Sequence, residues 1–240
     1  MTRTMRGILS LVLLAIASGC HTPRQPTLIG PTRPISAKDY PDVLETWTRS
    51  TQIYRGLDNK LFVTATFHAP ELRRAFAVAF PEIYGHGGEI TKRELVDLTG
   101  DVEQYNNFFV AIYPPVMKWN DLAKADSLWR LTLIGSDEVA VDPKEVVAIK
   151  IDANLRAVYP YVGHFDKVYL VRFPLVDAMG RVALDDKTTH FVFRIASALG
   201  EAELRWDLAT DPSATSTTSP HEEPVEKAAP SEVLEQEVGQ

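Results

Sequence analysis

Cysteine is nearly missing from this chain of 240 residues, which has only Cys20. A single cysteine cannot form an intrachain disulfide or supply the several thiolates of a structural zinc site, so both are excluded. Positive charge is also scarce, with 25 lysines and arginines against 32 acidic residues and a net charge of −7. A basic surface that binds nucleic acid is therefore not expected. The hydrophobic content of 45% fits one ordinary domain with appendages.

The sequence also lacks the short motifs of the common catalytic classes. It has no His-Glu-x-x-His, no phosphate-binding loop and no Gly-x-Gly-x-x-Gly. Around Ser136, Ile134 and Glu138 stand where the serine hydrolase motif needs glycines for its strained turn. We therefore expect a protein that is not an enzyme and uses no cofactor. The alternative is a hydrolase built from scattered groups, such as His164 or His86 beside an acid.

Long hydrophobic runs are missing too, apart from residues 8–17. About ten apolar residues are too few to span a bilayer as a helix. Arg3 and Arg6 precede this run, and small residues follow it. A basic start, a short apolar core and small residues are typical of a secretory signal peptide, which we predict over residues 1–19.

The sequence Ala17-Ser18-Gly19-Cys20 resembles the lipobox of bacterial lipoproteins, with Ala17 at the position where leucine is usual. The resemblance implies that Cys20 carries acyl groups such as palmitate and tethers the mature chain to a membrane. A lone cysteine fits this interpretation, because an acylated thiol is no longer reactive. His21 stands where many lipoproteins of the inner membrane have aspartate, so the resemblance implies the outer membrane of the bacterial envelope.

Composition divides the rest of the chain into three parts. Residues 20–40 are rich in proline and have no apolar periodicity, which predicts an extended, lipidated stalk. Residues 211–240 hold seven acidic residues and one lysine, and this composition predicts a disordered acidic tail. We expect the globular domain over residues 41–210.

Alternation of apolar and polar residues predicts most of the domain to be β-strand. In the first such segment, Leu61, Val63, Ala65 and Phe67 face one way, while Phe62 lies on the opposite face with threonines. Trp129 and Trp206 lie within two of the other strands and are expected in the core. The predicted strands are 60–68, 108–113, 128–134, 146–151, 168–173, 191–196 and 202–208.

Two helices are expected between the first two of these strands. Pro70 opens an apolar stripe that ends at Pro81, and a capping box at 91–94 begins a second stripe that reaches Tyr105. The predicted fold class is mainly β (α+β), an antiparallel β-sandwich with a two-helix insertion after the first core strand. Residues 42–58 fit either a strand or a helix.

An aromatic loop is the main candidate ligand site. Tyr159, Tyr161, His164 and Phe165 lie within seven residues between two predicted strands. Aromatic faces can stack on a sugar or a peptide, and His164 would add a polar contact. The alternative is that these rings fold onto the end of the core.

Other histidines and acids carry weaker hypotheses. Glu82, His86 and Glu89 in a Gly-rich stretch are donors that a divalent metal could use, but a plain connection between two helices is the preferred interpretation, and no metal site is predicted. We interpret His68 and His190 as ordinary polar positions at strand ends.

These observations favour a membrane-anchored envelope lipoprotein with a non-catalytic interaction or structural domain. Its expected partners are the membrane, through the lipid anchor, and an envelope protein, but no nucleic acid. The main alternative is a module that binds a sugar, lipid or peptide through the aromatic loop.

Overall fold

The computed structural model describes residues 25–30, 34–85 and 91–209, apart from the side chains of Lys92 and Glu94. Its strands are β1 (Thr48–Arg55), β2 (Asp58–Phe67), β3 (Tyr105–Tyr113), β4 (Arg130–Gly135), β5 (Ala140–Val141), β6 (Glu145–Ile149), β7 (Lys167–Pro174), β8 (His190–Ser197) and β9 (Gly200–Asp207). The first sheet has the order β1-β2-β3-β7-β6 and the second the order β5-β4-β8-β9. All the pairings are antiparallel.

The core lies between the two sheets and is dominated by aromatic rings. Phe108 on β3 meets Phe193 and Trp206 of the second sheet at centroid distances of 5.1 and 5.7 Å. Trp206 is fully buried and Trp129 nearly so. Because side chains alternate along a strand, every second residue of β2 and β3 enters this layer. The predicted β-sandwich and the core positions of both tryptophans are confirmed.

The two sheets approach each other along the edges β1 and β9. Nε of Arg49 donates to the carbonyl of Arg205 at 3.0 Å. The indole nitrogen of Trp206 donates to the carbonyl of Trp47, just before β1, also at 3.0 Å. These bonds satisfy a carbonyl of the edge strand β9 and the buried indole N–H of Trp206, and they fix β1 against the second sheet.

The helices are α1 (Tyr40–Thr46), α2 (Pro70–Tyr84), α3 (Lys92–Thr99) and α4 (Ala153–Val158). α2 and α3 lie between β2 and β3, so the predicted two-helix insertion is confirmed. The segment 42–58, which the sequence left open, contains both a helix and a strand. Among the described residues, no helix has the length and apolar character required to cross a bilayer.

Both inserted helices end at positions that differ from the prediction. α2 continues through Pro81 for another turn, because proline removes a single hydrogen-bond donor and the stacked rings of Phe80 and Tyr84 hold the last turn. Gly85 then ends α2 in the left-handed conformation, and its N–H donates to the Pro81 carbonyl. α3 stops before Gly100, whose φ is +81°, so Tyr105 begins β3 instead of extending the helix.

The expected stalk over 20–40 is wrong for the part that the structure describes. Pro26 is buried, and its carbonyl accepts a hydrogen bond of 2.9 Å from the N–H of Ala209. Tyr40 is buried as well, and its hydroxyl donates to the carbonyl of Val158. Burying these side chains against the domain removes apolar surface from water, which a free stalk would leave exposed. The predicted tail at 211–240 lies outside the described residues.

Candidate functional site

The predicted aromatic loop crosses the outer face of the first sheet, the face turned away from the sandwich core. Cross-strand partners on this face include Thr66 with Phe109. The loop runs from the end of α4 to the start of β7. Its backbone is fixed by a hydrogen bond of 2.7 Å from the Gly163 N–H to the carboxylate of Asp166. The loop therefore has a defined path over the sheet.

Tyr159 is an interior residue, with 4% of its surface exposed. Its ring lies parallel to that of Phe109, with centroids 3.8 Å apart. Its hydroxyl lies 2.8 Å from Nε2 of His68. Burial holds the pKa of Tyr159 well above its usual value, so the hydroxyl keeps its proton and donates it. Tyr159 thus anchors the loop and offers no surface to a ligand.

His68, the hydrogen-bond partner of Tyr159, is buried as well. Its Nδ1 contacts the carbonyl oxygen of Thr99. A carbonyl only accepts, so Nδ1 carries the ring proton and Nε2 accepts from Tyr159. Burial lowers the pKa of His68 to about 4, against the opposing effect of the Thr99 hydrogen bond. Both nitrogens are occupied, so His68 is a neutral structural group and not the ordinary polar position expected from the sequence.

Tyr161 belongs to a chain of hydroxyl groups on the same face. Thr48 donates to the carbonyl of Leu44 at 2.7 Å, which uses its only hydroxyl proton. The 2.7 Å contact between Thr48 and Thr66 therefore has Thr66 as donor. By the same reasoning Tyr161 donates to Thr66 across 2.6 Å. Burial raises the pKa of Tyr161, which keeps the proton needed for this bond.

The other two predicted residues lie on the solvent side. His164 is exposed, and no carboxylate in the described part of the chain is hydrogen-bonded to it. Phe165 is 76% exposed and packs on Tyr113 at 6.2 Å between centroids. Tyr113 in turn stacks on Phe62 at 5.8 Å. We call Phe62, Tyr113 and Phe165 the aromatic patch.

The four predicted residues thus lie in four different environments. Tyr159 is buried in the structure, Tyr161 contributes to a groove, and Phe165 belongs to the aromatic patch, while His164 faces solvent. Phe62 and Tyr113 were not expected from the sequence. The sequence did contain an indication for Phe62, because it is an aromatic residue on an otherwise polar strand face.

A groove of about 430 Å³ lies beside Tyr161, between α1, β1 and the end of α4. Its volume is in the range of small-molecule sites. Four of its nine lining residues come from the segment that the sequence left open. The lining residues are Tyr40, Pro41, Leu44, Glu45, Thr48, Ser50, Ala157, Pro160 and Tyr161.

A second cavity of about 310 Å³ lies where residues 28–29 pass the ends of β2 and β3. Asn106, Asp185 and Asp186 are among its lining residues. The side-chain nitrogen of Asn106 is buried without a hydrogen-bond partner in the described ranges. Asp185 already accepts hydrogen bonds from Thr188 and from the Lys187 N–H. His68 also lines this cavity, but both of its ring nitrogens are occupied. Among the described lining residues, no histidine is therefore hydrogen-bonded to a carboxylate.

Several predicted groups lie outside the described residues. These include Cys20 and, in the Gly-rich stretch, His86 and Glu89, while Glu82 is an exposed residue near the end of α2. Within residues 25–30, 34–85 and 91–209, no three His, Cys, Asp or Glu side chains are grouped so that they could hold a metal ion.

No protein-family model, no curated protein and no solved structure gives a significant match to this chain.

Proposed function

We propose that this protein is a lipid-anchored protein of the bacterial envelope whose β-sandwich binds another envelope protein without catalysing a reaction. The observation that carries the proposal is the aromatic patch. Phe165 leaves most of its ring in water, and Tyr113 and Phe62 continue the same surface. Exposed, contiguous aromatic rings are typical of protein interfaces, where their burial supplies much of the binding energy.

The anchor part of the proposal is supported by the sequence before the domain. The lipobox-like residues end at Cys20, and the described chain begins at Gln25. Five residues of fully extended chain span at most about 18 Å. Because Pro26 already packs on the domain, an acylated Cys20 would hold the sandwich close to the membrane surface. The outer membrane is the proposed location, on the basis of His21.

The non-catalytic part is supported by the histidines of the described residues. His68 has no free nitrogen. His164 has no hydrogen-bonded carboxylate that would orient it as a base, and the Nδ1 of His190 contacts the Thr189 hydroxyl and no carboxylate of the described chain. In catalytic triads, the histidine base is oriented by such a carboxylate partner.

A photo-crosslinking experiment in cells tests the interface. A photoreactive phenylalanine analogue is placed at position 165, and the matched control carries it at the equally exposed Met179. We expect one specific envelope protein to be crosslinked from position 165 and not from position 179. The same adducts from both positions would contradict the proposed interface.

The anchor has its own test. Cys20→Ala should prevent incorporation of labelled palmitate and release the protein from the membrane fraction. A variant that stays in the membrane fraction would contradict the lipid anchor, whatever the crosslinking shows.

A second candidate function is ligand binding in the groove. It is favoured by the size of the groove and by its lining with aromatic rings, prolines and hydroxyl groups. Of the predicted aromatic loop, only Pro160 and Tyr161 contribute to this site.

A further inference from the structure

The groove beside Tyr161 presents hydrogen-bond acceptors and few donors. The hydroxyl protons of Tyr161 and Thr48 are used within the chain that ends at the Leu44 carbonyl. The hydroxyl of Tyr40 donates to the carbonyl of Val158 at 2.9 Å. These hydroxyl oxygens therefore have no free proton to offer a ligand.

The remaining lining groups add little donor capacity. Ser50 is paired with Thr64 at 2.9 Å, so one proton of this pair stays free. Pro41 and Pro160 have no backbone N–H. A ligand that binds here must bring its own hydrogen-bond donors, because buried acceptors without a partner cost free energy.

The charge of the groove has one sign. Among the described residues that line the groove, Glu45 is the only charged one, and it is exposed. Its carboxylate makes no hydrogen bond or ion pair within the described ranges. Asp42, one turn earlier on α1, is also exposed and negative. An anionic ligand would meet repulsion and find almost no donors, which disfavours phosphates and fatty-acid carboxylates.

The walls are otherwise apolar and suit an aliphatic stem. Leu44 and the two prolines provide hydrocarbon surface, and Tyr161 provides an aromatic ring. Long cationic side chains lay their methylene groups on apolar surface and place their charge at its rim. An arginine or lysine in this position would interact with the Glu45 carboxylate and with the ring of Tyr161.

We propose that the groove binds a basic, apolar-flanked segment of a partner protein and takes up an arginine or lysine side chain between Tyr161 and Glu45. This inference rests on the second candidate function, ligand binding in the groove. It does not depend on Cys20 or on the aromatic patch.

Calorimetric titration of the full chain in neutral detergent tests the proposal. The probes are the peptide acetyl-Leu-Arg-Leu-amide, the same peptide with citrulline in place of arginine, and the neutral disaccharide maltose. Citrulline keeps the length and most donors of arginine but has no charge. We expect the arginine peptide to bind about fivefold more tightly than the citrulline peptide, with the difference shrinking at high salt.

Two variants locate the binding. Glu45→Gln should weaken the arginine peptide about threefold, while Glu201→Gln, an exposed acid on β9, should leave its affinity unchanged. Ala157→Trp adds a bulky side chain at an exposed lining position and should lower the affinity at least about tenfold. Circular dichroism and thermal unfolding establish that each variant is folded.

Every contrary outcome has a separate meaning. If the two peptides bind equally tightly, the proposal of a basic ligand is wrong, but the groove remains a binding site. The same conclusion follows if maltose is the only probe that binds and Ala157→Trp abolishes its binding. No binding of any probe, or binding unaffected by Ala157→Trp, overturns both the basic ligand and the second candidate function.

Discussion

His68 is neutral because of where it lies. Its ring is 2% exposed and is held between the Thr99 carbonyl and the Tyr159 hydroxyl. A positive imidazolium would lose its hydration, and its protonated Nε2 could no longer accept the hydrogen bond from the Tyr159 hydroxyl. The same pair fixes Tyr159, and through it the start of the loop that carries Tyr161 and Phe165.

The free energy of unfolding should therefore depend on this histidine at acid pH. The pKa of His68 is about 4 in the folded chain and about 6.5 in the unfolded chain. Below pH 6.5 the unfolded state takes up the proton first, so stability falls as the pH falls towards 4. Between pH 8 and pH 5 we expect a loss of about 2 kcal/mol from this group.

Urea unfolding at several pH values measures this loss. The control is His68→Gln, which can donate to Thr99 and accept from Tyr159 but does not titrate. This variant should lose about 2 kcal/mol less than the natural chain over the same range. Parallel pH profiles for the two proteins would show that His68 is not the responsible group.

At the scale of single residues, the aromatic loop was predictable as a concentration of rings but not as a site. Tyr159, Tyr161 and Phe165 are all aromatic residues of one short stretch, and the sequence alone does not show which of the three rings is buried. Tyr159 meets Phe109 and His68, while Phe165 meets a ring that is itself partly exposed. Such neighbours lie far away in the chain, so no local pattern reports them.

At the scale of elements, α3 and β3 are joined by a turn that only glycine fits well. Gly100 has a φ of +81°, and a Cβ there would lie 2.3 Å from the side-chain oxygen of Asn107. Asn107 cannot easily move, because its amide nitrogen donates to the carbonyls of Asp101 and Tyr105. Both the backbone conformation and the packing exclude a side chain at this position.

Gly100→Ala should therefore lower the free energy of unfolding by more than backbone strain alone would. The matched control is Gly56→Ala in the hairpin between β1 and β2, where φ is +64° and no atom lies within 4 Å of the new Cβ. We expect the free energy of unfolding to fall by about 1 kcal/mol in the control and by about 3 kcal/mol in Gly100→Ala. Urea unfolding measures both, and equal losses would contradict the steric part of the argument.

The elements also differ in how far the sequence predicted them. Seven of the nine described strands followed from alternation, whereas β1 lay in the segment that the sequence left open and β5, with two residues, was not predicted. The ends of α2 and α3 could not be predicted from the sequence, because a stacked pair of rings extends α2 beyond Pro81 and the packing of Gly100 ends α3. α4 was missed, since a helix of six residues has too few turns to show a periodic pattern.

At the scale of the whole molecule, the N-terminal segment belongs to the domain. Pro26 is buried and bonded to Ala209, just after the last strand, and the N–H of Leu208 donates to the carbonyl of Thr189. The start and the end of the described chain are therefore fastened at one place.

Truncation tests this arrangement. A chain of residues 25–209 should keep the unfolding free energy of the full chain, because the acidic composition of residues 211–240 predicts a disordered tail. A chain of residues 35–209 loses the buried Pro26 and its hydrogen bond, and should be about 2 kcal/mol less stable. Thermal and urea unfolding compare the two, and equal stability would contradict a structural role for residues 25–30.

The sequence by itself determined the mainly β architecture, the place of the helical insertion, the aromatic core positions and the absence of an intrachain disulfide. These properties depend on composition and on patterns within a few residues. Only the tertiary structure decided that His68 is neutral, that Phe165 is exposed and that a groove lies beside Tyr161. Thr66 and Tyr161 are 95 residues apart, and Tyr40 and Val158 are 118 apart. Burial and hydrogen bonding between such distant residues exist only once the sheets and helices have packed.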